Sequence, residues 1–196
     1  MRLVGVAECG THALLGAAMG PLASGETTLA REVLQAGVVG AGMVLLADRE
    51  FVGAELWRQA HATGAELAWR TRSNAVLPVL ESLADGSYRS QIAAATDRRR
   101  GQAPTVVRVV EYTLGKDPGR PDQPAPYRLL TTILDPDQAP AAELAALYAQ
   151  RWEFDTTLDE LKTHQRGPKV VLRSRSPEGV EQEIWGCSWS TLRSGD

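Results

Sequence analysis

Hydrophobic and polar residues alternate along the first part of the chain in a way that predicts a hairpin followed by a helix. The run Arg2 to Cys9 has the pattern of a strand, and after the Gly10-Thr11 turn the run His12 to Ala18 has the pattern of its partner. From Gly25 to Leu34 the apolar residues recur with a period of about 3.6, which indicates an amphipathic helix that ends at the glycines of 37–42. The chain is therefore expected to open inside a sheet.

A β-α-β pattern comes next. The short apolar run Met43 to Ala47 has turn residues before it and charges after it, which is typical of a strand buried on both faces. Asp48 stands at the C-terminal end of this strand. A helix over about Gly53 to Thr63 and a strand over Glu66 to Thr71 complete the unit, which predicts a parallel crossover and an α/β fold.

The pattern changes from Asn74 to about Asp135, a segment that we interpret as a β-rich insertion. Its β-like runs surround a stretch rich in glycine, proline and aspartate, Gly115 to Pro126, which predicts a long loop. The strongest helical pattern runs from Ala141 to Gln165, opened by Pro140 and closed by a Gly-Pro pair. A last helix is predicted over Glu178 to Trp189. The β-like runs are Ser87 to Ile92, Thr105 to Leu114 and Tyr127 to Leu134.

Composition limits the class of protein. The chain has 196 residues, of which 43% are hydrophobic, and this is enough for one sizeable core and one domain. Its net charge of -3 argues against nucleic-acid binding over the whole surface, so any DNA contact must come from local basic patches such as Arg98 to Arg100 or Arg166 to Arg175. The two cysteines match no metal or redox spacing, and the lack of a long apolar stretch predicts a cytoplasmic protein.

One face of the predicted helix 141–165 carries a line of polar residues. At about 100° per residue, four side chains fall within a sector of roughly 60°. An apolar set occupies the adjacent sector, so the helix can bury its leucines while the polar line faces a cleft beside the sheet. Periodicity leaves two interpretations open, a salt-bridged helix surface and part of a site. The polar line is Tyr148, Arg151, Asp155 and Lys162, and the apolar set is Leu147, Phe154, Leu158 and Leu161.

The order of these residues resembles a family signature. The segment from Tyr148 to Lys162, with Arg151 and Asp155 between them, is similar to the Tyr-x2-Arg-x3-Glu-x6-Lys (YREK) pattern of bacterial insertion-sequence DDE transposases. In that branch a catalytic aspartate follows a buried strand, in a context like Leu46-Ala47-Asp48-Arg49-Glu50-Phe51. The chain is thus identified as a partial DDE transposase domain. The similarity also covers Arg2 to Gly10, Gly25 to Leu29 and Gly167 to Trp185.

The resemblance implies a fold and a chemistry. The fold would be α/β, an RNase H-like mixed sheet with flanking helices and a β-rich insertion before the last catalytic helix. Asp48 and Asp155 would be catalytic, metal-binding carboxylates of a two-ion site, because Mg²⁺ or Mn²⁺ prefers oxygen ligands and can stabilise the charge on a reacting phosphodiester. Tyr148, Arg151 and Lys162 would bind DNA at the transposon ends, and the protein could form a homo-oligomer. The alternative to a catalytic role for Asp48 is a structural one, because an aspartate at the end of a strand is often a helix N-cap or a turn residue.

Two departures from the family pattern bear on activity. Asp155 stands where the signature has glutamate, and a carboxylate that is one methylene shorter should hold its metal ion less well. The first catalytic aspartate of the family lies on a strand that precedes Arg2 to Cys9, and loss of this central strand would leave its neighbours with an unpaired edge. We therefore expect the chain to be incomplete and inactive alone, with low stability or self-association. The alternative is a non-catalytic DNA-binding or dimerising transposase remnant that uses the basic residues of Arg166 to Arg175.

Overall fold

The computed structural model describes residues 2–151, apart from residues 12, 95, 96, 98, 100, 102, 118 and 119, and it describes only the backbone of residues 114–126. Its strands are β1 (Arg2–Ala7), β2 (Leu14–Gly20), β3 (Val44–Ala47), β4 (Glu66–Arg70), β5 (Glu81–Ser82), β6 (Tyr88–Ile92), β7 (Thr105–Asp117) and β8 (Arg120–Thr131). Its helices are α1 (Glu26–Gln35), a 3-10 turn (Arg49–Phe51), α2 (Ala54–His61) and the helical residues 141–151, here called α3.

The strands form two separate sheets within the described part of the chain. β1 and β2 make an antiparallel hairpin. The other six strands make a mixed sheet in the order β3-β4-β8-β7-β6-β5, in which β3 and β4 are parallel and all other pairs are antiparallel. α2 connects the parallel pair, as the apolar pattern predicted. The predicted class, an α/β protein with a mixed sheet and flanking helices like that of RNase H, is confirmed.

Both faces of the mixed sheet are covered. Trp57 of α2 packs edge-to-face against Trp69 of β4, with ring centroids 5.2 Å apart, in a core that lies on the α2 face. Ala68 points to the opposite face because side chains alternate along a strand, and there it packs in a second core with Leu144 and Tyr148 of α3. α3 starts at Pro140, whose carbonyl accepts the first helical hydrogen bonds, as predicted.

The prediction of a long loop over Gly115 to Pro126 is wrong. β7 and β8 continue through this region as an antiparallel pair, with Thr113 opposite Pro126 and Lys116 opposite Pro124. Beyond the segments paired with β6 and β4, these two strands pair only with each other. A proline is tolerated there because its missing N–H can face the outer edge of a two-stranded ribbon. The prolines therefore mark an edge and not a loop.

The prediction that β3 is buried on both faces is also wrong. β3 is an outer strand of the mixed sheet, and Val44 is 38% exposed. Within the described residues, β1 and β3 each have one edge without a strand partner. A continuous apolar run does not distinguish a central strand from an outer strand of a sheet.

Some predictions concern regions that the structure describes only in part. The strands between Asn74 and Asp135 extend the same sheet as β3 and β4, and treating this segment as a separate insertion remains a prediction. The second half of the helix 141–165, the helix at Glu178 to Trp189 and the basic residues Arg166 to Arg175 lie outside the described residues. Among the described residues, no helix is long and apolar enough to cross a membrane.

Candidate functional site

Asp48 lies at the C-terminal end of β3, directly before the 3-10 turn. The Asp48 Oδ1 atom accepts a hydrogen bond of 2.6 Å from the backbone N–H of Arg49, so the carboxylate caps this turn. The side chain is one third exposed, at 33%, and Oδ2 takes no part in the cap. The two interpretations of this residue are therefore compatible, since one oxygen caps the turn and the other faces the cleft.

α3 brings two further predicted site residues to Asp48. The Nη2 atom of Arg151 lies 3.8 Å from Asp48 Oδ2, and the Arg151 side chain is 14% exposed. The same guanidinium lies 5.5 Å from the centroid of the Tyr148 ring. The structure therefore brings Tyr148 and Arg151 close to Asp48. Tyr148 lies 101 positions after Ala47, whose carbonyl its hydroxyl contacts.

Tyr148 is fully buried, whereas Arg151, the other described member of the predicted polar line, is 14% exposed. Its hydroxyl donates a hydrogen bond of 3.3 Å to the carbonyl of Ala47, the residue before Asp48. Burial raises the pKa of Tyr148, so the hydroxyl stays protonated and can keep donating. Of the predicted apolar set only Leu147 is described, and it is half-buried, whereas Leu144 and Tyr148, one turn apart, are buried.

Three arginines, Arg49, Arg70 and Arg72, end or follow the parallel strands β3 and β4 at this edge of the sheet. Because Ala47 pairs with Trp69, the next residues, Asp48 and Arg70, stand beside each other at the carboxyl ends of parallel strands. The Arg70 guanidinium carbon lies 4.1 Å from the centroid of the Tyr127 ring. Arg49 and Arg72 are exposed and share the carboxylate of Glu50, at 3.4 and 3.5 Å. Sequence reasoning missed Arg70, although a charged residue at the end of a buried strand was a usable signal.

Comparison with known proteins identifies the family. A family model described as "Transposase DDE domain" matches residues 7–192, which is nearly the whole chain. The chain belongs to the DDE transposase family. It is also 25% identical over 193 residues to the transposase InsG of insertion sequence element IS4 from Escherichia coli (strain K12). That match covers 95% of this chain and 41% of the relative, so the chain spans less than half the length of that transposase.

DDE transposases use divalent metal ions, which carboxylate side chains hold. Asp48 supplies one carboxylate with an oxygen directed into the cleft, which suits a hard cation. Within residues 2–151, as far as they are described, no three histidine, cysteine, aspartate or glutamate side chains cluster to hold a metal ion. Asp48 therefore fits as one ligand of such a site. The other predicted ligand, Asp155, lies outside the described residues, as does the predicted DNA-binding residue Lys162.

A buried charge cluster anchors the start of α3, and sequence reasoning missed it. The guanidinium of Arg108 is fully buried and pairs with Asp85, and its Nη1 atom donates to the carbonyl of Ala139 at 2.7 Å. Asp85 Oδ2 also accepts from the backbone N–H of Ala141 at 2.9 Å, at the first turn of the helix. The Nε atom of Arg108 donates to Ser87 Oγ at 2.8 Å. The cluster thus ties the helix that carries Arg151 to the strands β6 and β7.

The electrostatics of Asp85 show how well this cluster is satisfied. Burial by itself raises the pKa of Asp85, but hydrogen bonds from Ser87 and Ala141 and the positive charge of Arg108 lower it overall. A charged residue inside the apolar run 106–110 was the signal that could have found Arg108, because a buried charge requires a partner.

Proposed function

We propose that this chain is the DNA-handling part of the catalytic domain of an insertion-sequence transposase, and that its function is DNA transposition by strand cleavage and strand transfer. The observation that carries the proposal is the meeting of Asp48 and Arg151, 3.8 Å apart, at the carboxyl end of a parallel strand pair. An acid and a cation at this position suit a reacting phosphodiester, because one group can hold a metal ion and the other can bind phosphate. The family membership of the chain supports the same assignment.

Arg151 is the residue that we assign to phosphate binding. Its guanidinium is mostly buried by neighbouring side chains but reaches the cleft beside Asp48, so a DNA phosphate at this point could take over the ion pair. Lys162 is assigned to DNA by the family signature alone. Tyr148 is assigned a supporting role at the DNA end, because its buried hydroxyl holds the backbone at Ala47, directly before Asp48.

The metal ligands that we propose are Asp48 and Asp155, for Mg²⁺ or Mn²⁺ in a two-ion site. When bound, the ions would activate the attacking oxygen and stabilise the leaving oxygen of a phosphodiester. Asp48 contributes its Oδ2 atom, since Oδ1 is held by the N–H of Arg49. The bond from Arg49 also fixes the orientation of the carboxylate.

We propose further that the 196-residue chain does not cleave DNA alone. Asp155 is one methylene shorter than the glutamate of the signature, and a shorter carboxylate should hold a metal ion less well. Under this proposal the chain keeps DNA binding and lacks catalysis, which is the remnant function considered above. A cytoplasmic location and assembly into a homo-oligomer belong to the same proposal.

The test combines DNA binding and cleavage on one protein preparation. Purified chain is titrated into a short fluorescent duplex, with and without chelator, and end-labelled transposon-end duplexes are incubated with Mg²⁺ or Mn²⁺. We expect chelator-insensitive binding, a loss of affinity of about tenfold in Arg151→Ala, and no cleavage. The matched control is Arg89→Ala, a partly exposed arginine on β6 that pairs with Glu81 and lies four strands from β3, which should bind like the unaltered chain.

The possible outcomes separate the parts of this proposal. Equal affinity of Arg151→Ala and Arg89→Ala would refute the DNA-binding role of Arg151. Metal-dependent cleavage that disappears in Asp48→Asn and persists in Asp137→Asn, an exposed aspartate remote from the cleft, would overturn the proposed inactivity and establish the role of Asp48.

A further inference from the structure

The connection between β6 and β7 is tied to α2 through one buried aspartate. Asp97 is 2% exposed, and its two carboxylate oxygens accept hydrogen bonds of 2.7 and 3.1 Å from the guanidinium of Arg58 on α2. Its Oδ2 atom also accepts from the backbone N–H of Ala94 at 2.7 Å. A bidentate pair of this kind fixes orientation as well as position. The connection is therefore held against the helix at Asp97.

The same anchor turns Arg99 outward. Asp97 and Arg99 both have helical backbone, and residues of a helix follow each other at about 100°, so these two side chains lie about 200° apart around the axis. Burial of Asp97 against α2 thus directs Arg99 to solvent, and Arg99 is exposed. Gly101 follows with a φ of 65°, in the left-handed conformation in which helices commonly end. We call this exposed segment the Arg99 turn.

The described residues around the Arg99 turn do not compensate its positive charge. Over residues 86–110 the sequence has one acid, Asp97, and that acid is already paired on α2. Both sequence neighbours of Arg99 are arginines, although Arg98 and Arg100 lie outside the described residues. No described acidic side chain forms an ion pair with Arg99. In a chain with a net charge of -3, such a local concentration of positive charge attracts polyanions.

The Arg99 turn is far from the Asp48 cleft. It joins β6 and β7 beyond the paired residues Ile92 and Thr105. Along β7, Val110 is level with Arg70 at the end of β4, and the end of β3 is at the same level. Five residues along β7 and three strand spacings across the sheet place the two regions about 20 Å apart. One phosphate cannot contact both regions.

The backbone of duplex DNA is the polyanion that suits the Arg99 turn. A guanidinium can donate two parallel hydrogen bonds to phosphate oxygens, and DNA presents a phosphate charge for about every 1.7 Å of its axis. Contacts to phosphates position a protein on DNA and carry no sequence information. The choice of DNA over other polyanions rests on the proposed function.

We propose that the Arg99 turn is a second DNA-contact surface, which binds the phosphates of duplex DNA without reading its sequence and independently of the Asp48 cleft. The pair of Asp97 and Arg58 holds the surface in place from below. Because each neutralised phosphate adds to the affinity, the Arg99 turn strengthens binding of DNA without changing the contacts in the cleft.

The test measures the affinity for DNA as a function of salt. The 196-residue chain is titrated into a fluorescent duplex of arbitrary sequence, and log affinity is plotted against log salt concentration. Arg99→Ala should reduce the slope by about one, which corresponds to one phosphate contact. Arg99→Lys keeps the charge and should keep the slope. The matched control is Arg89→Ala, which removes a partly exposed arginine already paired with Glu81 and should leave the slope unchanged.

A double substitution tests independence from the cleft. Changes more than about 10 Å apart usually add, so Arg99→Ala combined with Arg151→Ala should reduce the slope by about two. A second duplex of unrelated sequence should show the same loss for Arg99→Ala, because phosphate contacts weaken binding uniformly across sequences. Far-ultraviolet circular dichroism checks that each variant is folded.

Three results would overturn the proposal. The first is an equal slope for Arg99→Ala and Arg89→Ala, which would leave Arg99 as solvated surface charge. The second is a loss that disappears when Arg151 is already substituted, which would show that Arg99 acts through the cleft. The third is a loss confined to one duplex sequence, which would indicate contacts to bases.

Failure of the proposed function gives a different result. If Arg151→Ala binds like Arg89→Ala while Arg99→Ala still loses one phosphate contact, the assignment of Arg151 fails and the Arg99 turn stands. If only Arg151→Ala loses affinity, the cleft stands and the Arg99 turn fails.

Discussion

The chain contains two arginine–aspartate pairs that differ in almost every physical respect. Arg108 is fully buried and donates to Asp85, Ser87 and a backbone carbonyl, so its charge is compensated on all sides. Arg151 and Asp48 are 3.8 Å apart in an open cleft, with the carboxylate one third exposed. The first pair is built to hold structure together. The second is partly open to the cleft, so a ligand can reach the Asp48 carboxylate, as a binding site requires.

The same helix connects the two pairs. Asp85 accepts the N–H of Ala141 at the start of α3, and Arg151 lies at the end of its described part. Changes at the buried pair should therefore reduce stability, and changes at the open pair should alter ligand binding. The predictions below test this division, from the largest expected effect to the smallest.

The largest effect is expected for Arg108→Met. This change removes the guanidinium that pairs with the Asp85 carboxylate and donates to the carbonyl of Ala139. Breaking a buried pair by removing one partner costs about 3–5 kcal/mol. Urea unfolding followed by tryptophan fluorescence measures the loss. Arg89→Met, which removes an exposed pair with Glu81, should cost less than about 1 kcal/mol. Equal losses for the two variants would contradict the structural role of Arg108.

The next effect is a pH dependence that belongs to Asp85. Because its pKa is lowered in the folded protein, its stabilising contribution is present above the unfolded value of 3.8 and is lost as the pH falls through the lower folded pKa. Asp85→Asn should therefore be less stable than the unaltered chain at pH 7, and the difference should disappear in acid. Thermal unfolding at both pH values gives the two differences. A difference that persists unchanged in acid would count against this assignment.

Arg151→Met tests the open pair and should affect binding more than folding. The variant keeps much of the packing against Tyr148, so we expect a change in unfolding free energy below about 1 kcal/mol. It should also remove one phosphate contact and reduce the slope of log affinity against log salt by about one. Fluorescence anisotropy with duplex DNA at several salt concentrations measures this slope. A large loss of stability with an unchanged slope would place Arg151 with the buried pair.

The smallest effect is expected for Tyr148→Phe. The change removes the hydrogen bond to the carbonyl of Ala47 and keeps the buried ring, so the free energy of unfolding should fall by about 0.5 kcal/mol. If the hydroxyl holds the end of β3, hydrogen exchange should accelerate at Asp48 and Arg49 and stay unchanged at β6. Uniform acceleration over the sheet would show that the hydroxyl has only a general stabilising effect.

Sequence patterns predicted most of the fold because local periodicity reports how each segment meets its core. The hairpin, α1, the β3-α2-β4 unit and the start of α3 all lie close to where the pattern placed them. The pattern failed at Gly115 to Pro126 and at the burial of β3, and for one reason. The residues of a segment indicate whether it can form a strand. They do not indicate which other strands lie beside it.

The order of residues along the chain by itself determined the family signature, and with it the prediction that Asp48, Tyr148 and Arg151 belong to one site. Only the tertiary structure decided that Tyr148 is buried under Ala47, that Arg70 lies over the Tyr127 ring, and that Arg108 and Asp85 anchor the helix. The physical reason is that these contacts join residues far apart in sequence. Their energies come from burial and pairing, and neither exists until the sheet has assembled.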